Sequence, residues 1–248
     1  MSFCKIADLY VEIHVRYPRC CSQVEKYKIT EIPNRAPDIR IRVTQEMIEE
    51  YIEAGKDSDI MEGWPLEMQW DEVEYMLAGQ MFYHEILRFG GMLVHSSAIV
   101  MNEKAYLFSG KSGAGKSTHT NLWLEKFGND IYVLNEDKPA VRKIDGKYYA
   151  YGTPWSGKTN TNVNRRAEVN SIVFLGQATE NTIRKLNTKE AFTALFEQTD
   201  RKKAGRHMIA LMDMMEGLVT DIPMYHMDCN ISQEAVELSY KTITEKEG

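Results

Sequence analysis

The stretch that decides the fold runs from residue 110 to residue 117 and reads Gly110-Lys111-Ser112-Gly113-Ala114-Gly115-Lys116-Ser117. It matches the pattern G-x-x-x-x-G-K-[ST] over its full length. The apolar run 105–109 before it is typical of a strand, and the pattern over 117–127 after it is typical of a helix. Glycines let the backbone curl until successive N–H groups face one concavity, and the helix N-terminus adds its dipole. The segment therefore predicts an anion site at a strand–loop–helix junction.

The residue types in this phosphate loop (residues 110–117) indicate which anion binds. We expect Lys116 to reach the β- and γ-phosphates of a nucleotide and the hydroxyl of Ser117 to bind Mg²⁺, with Thr118 as a weaker candidate for the same shell. A chance match in a chain this long has a probability of roughly 1%. Residues 110–118 are thus predicted to bind ATP together with Mg²⁺.

Two adjacent carboxylates follow the next predicted strand. Residues 131–134 are apolar and lead directly into Asn135-Glu136-Asp137. One carboxylate can hold the metal ion, while its neighbour can take a proton from an attacking hydroxyl. Glu136 and Asp137 are therefore candidate catalytic and metal-binding residues. The alternative is a strand that ends in a solvated acidic turn.

A histidine and a glycine-rich segment are further candidates. His95 precedes Gly110 by fifteen positions on the apolar run 92–101, so an antiparallel hairpin would return it toward the phosphate loop. The alternative is an ordinary structural histidine. Residues 152–158 read Gly-Thr-Pro-Trp-Ser-Gly-Lys and could present backbone amides and Lys158 to a phosphate or an acidic substrate. The alternative is a turn around a buried Trp155.

Other charged and titratable residues are expected to serve no site. His119 follows Ser117 by two positions, and we expect it on the exposed face of the predicted helix. A set of basic residues could gather around phosphates, but we expect them to be solvated, as charge runs usually are; they are Arg165, Arg166, Arg201, Lys202, Lys203 and Arg206.

Composition narrows the class of protein. The chain has 248 residues with 30 Lys+Arg and 36 Asp+Glu, a net charge of −6 that argues against a nucleic-acid partner. No stretch approaches 18 apolar residues, and the N-terminal segment lacks the apolar core of a signal peptide, so we expect no membrane span. The scattered cysteines indicate a reducing cytoplasm; they are Cys4, Cys20, Cys21 and Cys229.

Residues 1–90 predict a small strand-rich region. Short alternating runs at 10–15, 24–29 and 39–43 are separated by prolines, which is typical of strands. Residues 44–54 predict a short helix. Asp71 and Glu74 form a capping-box pattern for a helix that runs to Phe89 and stops at Gly90-Gly91. We expect this region to serve substrate or partner recognition.

Residues 91–248 predict an α/β core that binds ATP. Strands are expected at 92–101, 105–109, 131–134, 141–144, 148–151, 172–175 and 183–186. Helices are expected at 117–127, at 187–198 with Asn187 and Glu190 as a capping box, and from Ser232 onward. Tight turns at 102–103 and 145–146 join neighbouring strands into hairpins. The sheet should therefore be mixed, with flanking helices.

Together these residues resemble the HPr kinase/phosphorylase family, whose phosphate loop is related to that of phosphoenolpyruvate carboxykinase. His95, the phosphate loop and Glu136-Asp137 match family motifs, and Gly152–Trp155 is similar to a loop of the shorter HPr-kinase-like proteins; the resemblance covers about residues 90–240. It implies a kinase of this type that transfers the γ-phosphoryl group of ATP to a hydroxyl, usually serine, of a peptide, protein or small molecule. It also implies a possible homo-oligomer, since the family is often hexameric.

The resemblance also implies roles for individual residues. Lys116 and Ser117 would bind ATP phosphates and Mg²⁺, Glu136 and Asp137 would share metal binding and general-base duty, and His95 would orient or stabilise the reacting phosphate. Gly152, Thr153, Trp155 and Lys158 would lie on the substrate side.

The chain departs from the family at two places. Glu136 stands where the usual pair begins with Asp, and residues 168–171 lack the Arg and Gly of the Glu-x-Arg-Gly signature that is linked to phosphorylase activity. Two other interpretations therefore stay open. They are a non-catalytic nucleotide-sensing protein and a carboxykinase-like enzyme.

Overall fold

The computed structural model describes residues 1–54, 66–199 and 205–244. The first part of the chain contains β1 (Ser2–Ile6), β2 (Leu9–His14), α1 (Pro18–Val24), β3 (Ile39–Arg42), α2 (Gln45–Ala54), α3 (Leu66–Glu85) and β4 (Gly91–Leu93). The middle contains β5 (Ser96–Met101), β6 (Lys104–Ser109), α4 (Lys116–Phe127), β7 (Ile131–Asn135), β8 (Ala140–Ile144) and β9 (Lys147–Tyr151). The last part contains β10 (Arg166–Gln177), β11 (Thr182–Lys185), α5 (Thr188–Glu197), α6 (Gly205–Asp221), β12 (Met224–Cys229) and α7 (Gln233–Thr244).

The N-terminal region contains a three-stranded sheet in the order β1-β2-β3. β1 and β2 are antiparallel, whereas β2 and β3 are parallel. The predicted strands at 10–15 and 39–43 are confirmed as β2 and β3. The strand predicted at 24–29 is wrong, because these residues form the end of α1 and a short 3₁₀ turn at Glu25–Tyr27. Pro18 starts the helix, and buried Cys20, Val24 and Tyr27 follow its period rather than an alternation.

The central sheet has nine strands and is mixed. Seven of them follow the order β4-β8-β9-β10-β6-β5-β7, and β12 pairs with the second half of β10 and with β11. β10 is parallel to β6 and β12, whereas β5 is antiparallel to both β6 and β7. The predicted hairpin turns have positive φ at Asn102, Glu103, Asp145 and Gly146. The predicted mixed-sheet α/β fold is confirmed.

The single strand predicted over residues 92–101 is two strands. β4 pairs with β8, whereas β5 pairs with β6 and β7, so the chain moves across the sheet at Val94-His95. β5 begins at Ser96, which pairs with Ser109 at the end of β6. His95 therefore lies beside the start of the phosphate loop, as the hairpin prediction required.

The capping box predicted at Asp71 and Glu74 is wrong, because α3 begins upstream of both residues. The two carboxylates cap another helix instead. Asp71 accepts a hydrogen bond from the backbone N–H of Arg19 (2.9 Å), and Glu74 accepts from the backbone N–H groups of Arg16 (2.8 Å) and Tyr17 (2.7 Å) at the start of α1. These bonds tie α1 to α3.

The remaining helix signals are confirmed. The 3₁₀ turn Ile86–Phe89 continues α3 and ends at Gly90, whose φ is 63°. Asn187 and Glu190 form the expected capping box at α5. Ser232 precedes α7, and its hydroxyl accepts from the N–H of Ala235 (3.3 Å).

Three hydrophobic clusters hold these elements together. The first lies around the N-terminal sheet and α3, and it also contains Leu93, Ala140, Tyr151 and Trp155 of the C-terminal part. The second packs α5 and α6 on the central sheet, and the third packs α4 and α7 on it. The first cluster thus crosses the predicted boundary near residue 90. No helix in the described ranges is long and apolar enough to cross a membrane.

Candidate functional site

The phosphate loop joins the end of β6 to the start of α4. Gly110, Gly113 and Gly115 have φ values of 144°, 82° and 96°, which L side chains rarely adopt. A Cβ at Gly110 would also lie 2.9 Å from the carbonyl oxygen of Leu175. Gly115 is the N-cap of α4 and offers no side-chain acceptor, so the first N–H groups of α4 remain available for an anion.

Lys116 folds back over this loop. Its Nζ donates to the carbonyl oxygens of Gly110 (2.9 Å) and Lys111 (3.3 Å). Burial lowers the pKa of Lys116, and the negative charge of Asp137 opposes that shift. Ser117 and Thr118 are exposed on the first turn of α4. The loop lines a cleft of about 470 Å³, together with the end of β10, the end of α5 and His226.

His95 and Asp137 form a pair beside this loop. The His95 Nε2 lies 3.0 Å from the Asp137 Oδ1. The backbone holds both residues, because the N–H of His95 donates to the Gln198 carbonyl (2.7 Å) and the N–H of Ser96 donates to that of Asp137 (3.0 Å). Burial raises the pKa of Asp137, but the hydrogen bond with His95 and the charges of Lys138, His95 and Lys116 outweigh it, so the pKa is lowered. Asp137 is therefore ionised at neutral pH.

Glu136 has different partners from its neighbour. Its Oε2 accepts a hydrogen bond from the Thr159 hydroxyl at 2.5 Å, and its N–H donates to the Thr161 carbonyl at 3.2 Å. Asp137 faces His95 instead. Glu136 and Asp137 are adjacent in sequence, but the side chain of the first contacts Thr159 and that of the second contacts His95.

Asn135, which the sequence reasoning passed over, holds this acidic turn. Its Oδ1 accepts from the N–H groups of Asp137 (3.0 Å) and Lys138 (2.8 Å), which forms an Asx turn. Its Nδ2 donates to the carbonyl of Thr153 (3.0 Å), and the Thr153 hydroxyl donates to that of Lys138 (2.7 Å). The signal was present in the sequence as an Asn at the end of a buried strand. The Tyr83 hydroxyl also donates to the Lys138 carbonyl, and nothing in the sequence around Tyr83 indicates this contact.

The segment 152–158 packs inward. Thr153 and Trp155 are fully buried, and the Trp155 indole stacks on Phe82 and donates to the Tyr75 carbonyl (3.1 Å). The alternative of a turn around a buried Trp is what the structure contains. Direct contact of a substrate with the side chains of Thr153 and Trp155 is excluded by their burial. Gly152 is also buried, whereas Lys158 is exposed.

His119 is buried, and the basic residues of the predicted solvated set that the structure describes are exposed. His119 is 2% exposed rather than on a solvated face, because its ring packs against Phe108 and Trp123 on the sheet side of α4. Arg165, Arg166 and Arg206 are exposed as predicted, whereas residues 201–203 lie outside the described residues.

A second, smaller cleft of about 270 Å³ has His95 in its wall. His95 and Lys138 line it together with Leu93 and residues of α3, among them Gln80 and Tyr83. Glu197 and Gln198 line both this cleft and the cleft of the phosphate loop. The two clefts therefore adjoin at Glu197 and Gln198, and His95, whose N–H donates to the Gln198 carbonyl, lines the smaller one.

The donor set beside the loop fits Mg²⁺. The hydroxyl of Ser117 is exposed, and within the described residues the Oδ2 of Asp137 has no hydrogen-bond partner. Mg²⁺ binds through one or two carboxylates and takes its other ligands from phosphates and water. A cluster of three or more acidic, His or Cys ligands is therefore not required, and the described residues contain none.

Comparisons with known proteins assign no family. No protein-family model matches the sequence, and no curated protein matches it. Among solved structures, the HPr(Ser) kinase/phosphatase from Coxiella burnetii is similar with a TM-score of 0.35 and 9% identity, over 61% of this chain and 87% of that chain. Similarity this low identifies neither family nor function, so function has to be inferred from the site itself.

Proposed function

We propose that this chain is an ATP- and Mg²⁺-dependent kinase that transfers the γ-phosphoryl group to a hydroxyl, most simply a serine of a peptide, protein or small molecule. One observation carries the proposal: an ionised carboxylate, Asp137, bonded to His95 beside a glycine-rich loop that contains Lys116. The loop supplies an anion site, and the carboxylate supplies a proton acceptor within reach of it.

The loop and α4 bind the triphosphate in this proposal. The N–H groups of the loop and of the first turn of α4 bind the β- and γ-phosphates, and Lys116 leaves the Gly110 carbonyl to bind them too. Ser117 would hold Mg²⁺ with phosphate oxygens and water as its other ligands, and the bound ion would neutralise phosphate charge, which leaves the Oδ2 of Asp137 free to accept a proton. The residues of the site then act mainly by positioning and by charge stabilisation.

Asp137 receives the proton of the acceptor. The acceptor oxygen forms a bond to the γ-phosphorus, the bond from that phosphorus to the bridging oxygen breaks, and ADP leaves. The hydroxyl proton passes to the carboxylate of Asp137. His95 fixes the orientation of that carboxylate through its 3.0 Å contact.

The acceptor enters through the smaller cleft that His95 and Lys138 line. A volume of about 270 Å³ suits a single side chain or a small molecule better than a folded surface. Lys138 and Glu197 give this cleft one positive and one negative group. A small zwitterion or the backbone of a peptide can use both charges.

Nucleotide binding by the purified chain tests this proposal. Isothermal titration with ATP and Mg²⁺ should show binding, and Lys116→Ala should weaken it at least tenfold. Lys126→Ala is the matched control, because Lys126 lies at the far end of the same helix and pairs with Glu237. Equal affinity of the Lys116 variant and the wild type would rule out the site. Transfer of labelled γ-phosphate to free serine and to serine peptides then identifies the acceptor.

A second candidate is a nucleotide sensor without catalysis. It is favoured by the contact of Glu136 with Thr159, which removes one of the two acids from the neighbourhood of His95. Replacement of both Glu136 and Asp137 by their amides separates the two candidates. A sensor keeps nucleotide affinity in this variant, and its wild type transfers no phosphate to any acceptor.

A further inference from the structure

A third cleft, of about 410 Å³, lies at the other end of the phosphate loop. The first two turns of α4 form one wall through Thr118, His119 and Leu122. Residues 177–178 after β10 and 229–231 after β12 form the other wall. In the sheet, β6 has β5 on one side and β10 on the other, with β12 beyond β10. This cleft is therefore on the side of the loop opposite to His95, which precedes β5.

The first unexplained polar atom in this cleft is the Nδ1 of His119. It is buried and has no hydrogen-bond partner, and the residue is 2% exposed. The indole N–H of Trp123 donates to the Nε2 at 3.1 Å, and an indole can only donate. The Ser239 hydroxyl lies 3.1 Å from the same Nε2 and 3.2 Å from the indole nitrogen, so Nδ1 is a donor when Nε2 accepts from Trp123 and an acceptor when Nε2 donates to Ser239. Burial lowers the pKa of His119 to about 4, so the ring is neutral at pH 7.

The second unexplained atom is the Oδ1 of Asn230, which is also buried and without a partner. The orientation of this side chain is fixed, because its Nδ2 donates to the carbonyl of Thr179 at 2.9 Å. The N–H of Asn230 donates to the Oδ1 of Asn181 at 2.9 Å, which holds the backbone in place. The cleft therefore offers one fixed acceptor, the Asn230 Oδ1, and one ring nitrogen without a partner, the His119 Nδ1.

Apolar groups surround these two atoms. Leu122, Ala178, Cys229 and Ile231 line the cleft, and Ile231 is 78% exposed although it is a large aliphatic residue. Buried donors and acceptors are almost always paired, so a ligand that pairs both atoms is expected here. A flat ring with apolar faces and with polar atoms on its edge, among them a donor for the Asn230 Oδ1, has the matching chemistry.

We propose that this cleft binds the purine base of the nucleotide whose phosphates occupy the loop, a proposal that rests on the proposed function. An amine or imide N–H of the base donates to the Asn230 Oδ1, and a second polar atom on the edge of the base pairs with the His119 Nδ1. The cleft shares Gly113, Ala114 and Gln177 with the phosphate cleft, and the Gln177 Nε2 binds the Gly113 carbonyl at 2.6 Å. The nucleotide then runs from β12 to Asp137.

Affinity measurements with and without a base test the proposal. Isothermal titration of the full chain with Mg²⁺ compares ATP, GTP, UTP and inorganic tripolyphosphate. At least one purine triphosphate should bind tenfold or more tightly than UTP and tripolyphosphate. Ala178→Trp, which fills the cleft from an exposed position, should abolish this preference and leave tripolyphosphate affinity unchanged. Thr179→Trp is the matched control, because residue 179 is exposed and does not line the cleft.

Thiol modification gives an independent measurement at Cys229, which lines the cleft. In a Cys21→Ser background the other cysteines, Cys4 and Cys20, are buried. N-ethylmaleimide should modify Cys229 at least fivefold more slowly with the preferred purine nucleotide, and tripolyphosphate should give no protection. If tripolyphosphate binds and every nucleotide binds equally well without protection, the base pocket alone is overturned. If neither nucleotides nor tripolyphosphate bind, the proposed function is overturned as well.

Discussion

Asp137 and Glu136 are neighbours in sequence with different surroundings. The Asx turn at Asn135 directs Asp137 toward His95, whereas Glu136 bonds to Thr159. We expect Asp137→Asn to lower the rate of phosphoryl transfer by about 100-fold or more, since a lost general base has that effect. Glu136→Gln should cost less than tenfold. Single-turnover transfer measured at saturating ATP compares the two, and equal losses would contradict the assignment of the base.

His119 predicts a pH dependence of stability. Its folded-state pKa of about 4 lies below the ordinary 6.5, so between these values the unfolded chain binds more protons and stability falls as pH falls. The expected loss at pH 5 relative to pH 8 is about 2 kcal/mol. His119→Gln keeps an acceptor for Trp123 but does not titrate, so its loss should be smaller by that amount. Urea unfolding at the two pH values measures this difference, and identical losses would show that another group is responsible.

At the scale of residues, the sequence predicts those features whose residues are close together along the chain. The phosphate loop could be found because its glycines, Lys116 and Ser117 are consecutive. The separation of Glu136 from Asp137 could not be found, since it depends on Thr159 and His95, which lie far away along the chain. The burial of His119 was missed for the same reason, because its contacts with Phe108 and Ser239 come from other elements.

The segment 152–158 supports the acidic turn as one packed element. Gly152 allows this packing, because a Cβ there would lie 2.8 Å from the Leu134 carbonyl oxygen and closer still to that of Val163. We expect Gly152→Ala to destabilise the fold by about 3 kcal/mol through overpacking against backbone. Gly205→Ala is the control, because a Cβ there would meet nothing within 4 Å. Equal thermal unfolding temperatures for the two variants would contradict this role of Gly152.

Periodicity predicted many elements, but it predicted neither the helix α6 nor the strand β12, and it misassigned two other segments for a common reason. The run 24–29 alternates like a strand, but Pro18 starts a helix whose buried side includes Cys20 and Val24. The acids at 71 and 74 have capping spacing, but their acceptors serve the N–H groups of α1. In both segments the conformation depends on contacts with another element, and a short stretch of sequence does not contain that element.

The first hydrophobic cluster contains residues of both the N-terminal region and the core. It joins β1–β3 and α3 to Leu93, Ala140, Tyr151 and Trp155. We therefore expect the full chain to unfold in a single transition, with circular dichroism and tryptophan fluorescence giving the same midpoint in urea. Two separate midpoints would support independent domains with a boundary near residue 90.

At the scale of the whole molecule, the mixed sheet followed from its hairpins, but its long-range pairings did not. β12 pairs with β10 across three intervening elements, β11, α5 and α6. The N-terminal region contacts Asn162, which forms a β-bridge with Asn135, because the Tyr27 hydroxyl donates to the Asn162 Oδ1 (2.9 Å). Neither the sequence around Tyr27 nor the sequence around Asn162 indicates this contact.

The phosphate cleft and the smaller cleft share Glu197 and Gln198 but have otherwise different walls, and this has a consequence for kinetics. The proposed nucleotide path runs from β12 along the loop, whereas the proposed acceptor cleft lies against α3. Neither substrate needs to cover the entrance of the other, so either can bind first. We expect initial-rate lines that intersect, and ADP that competes with ATP but not with the acceptor. Parallel lines would instead indicate a ping-pong mechanism, in which a covalent phospho-enzyme forms and ADP leaves before the acceptor reacts.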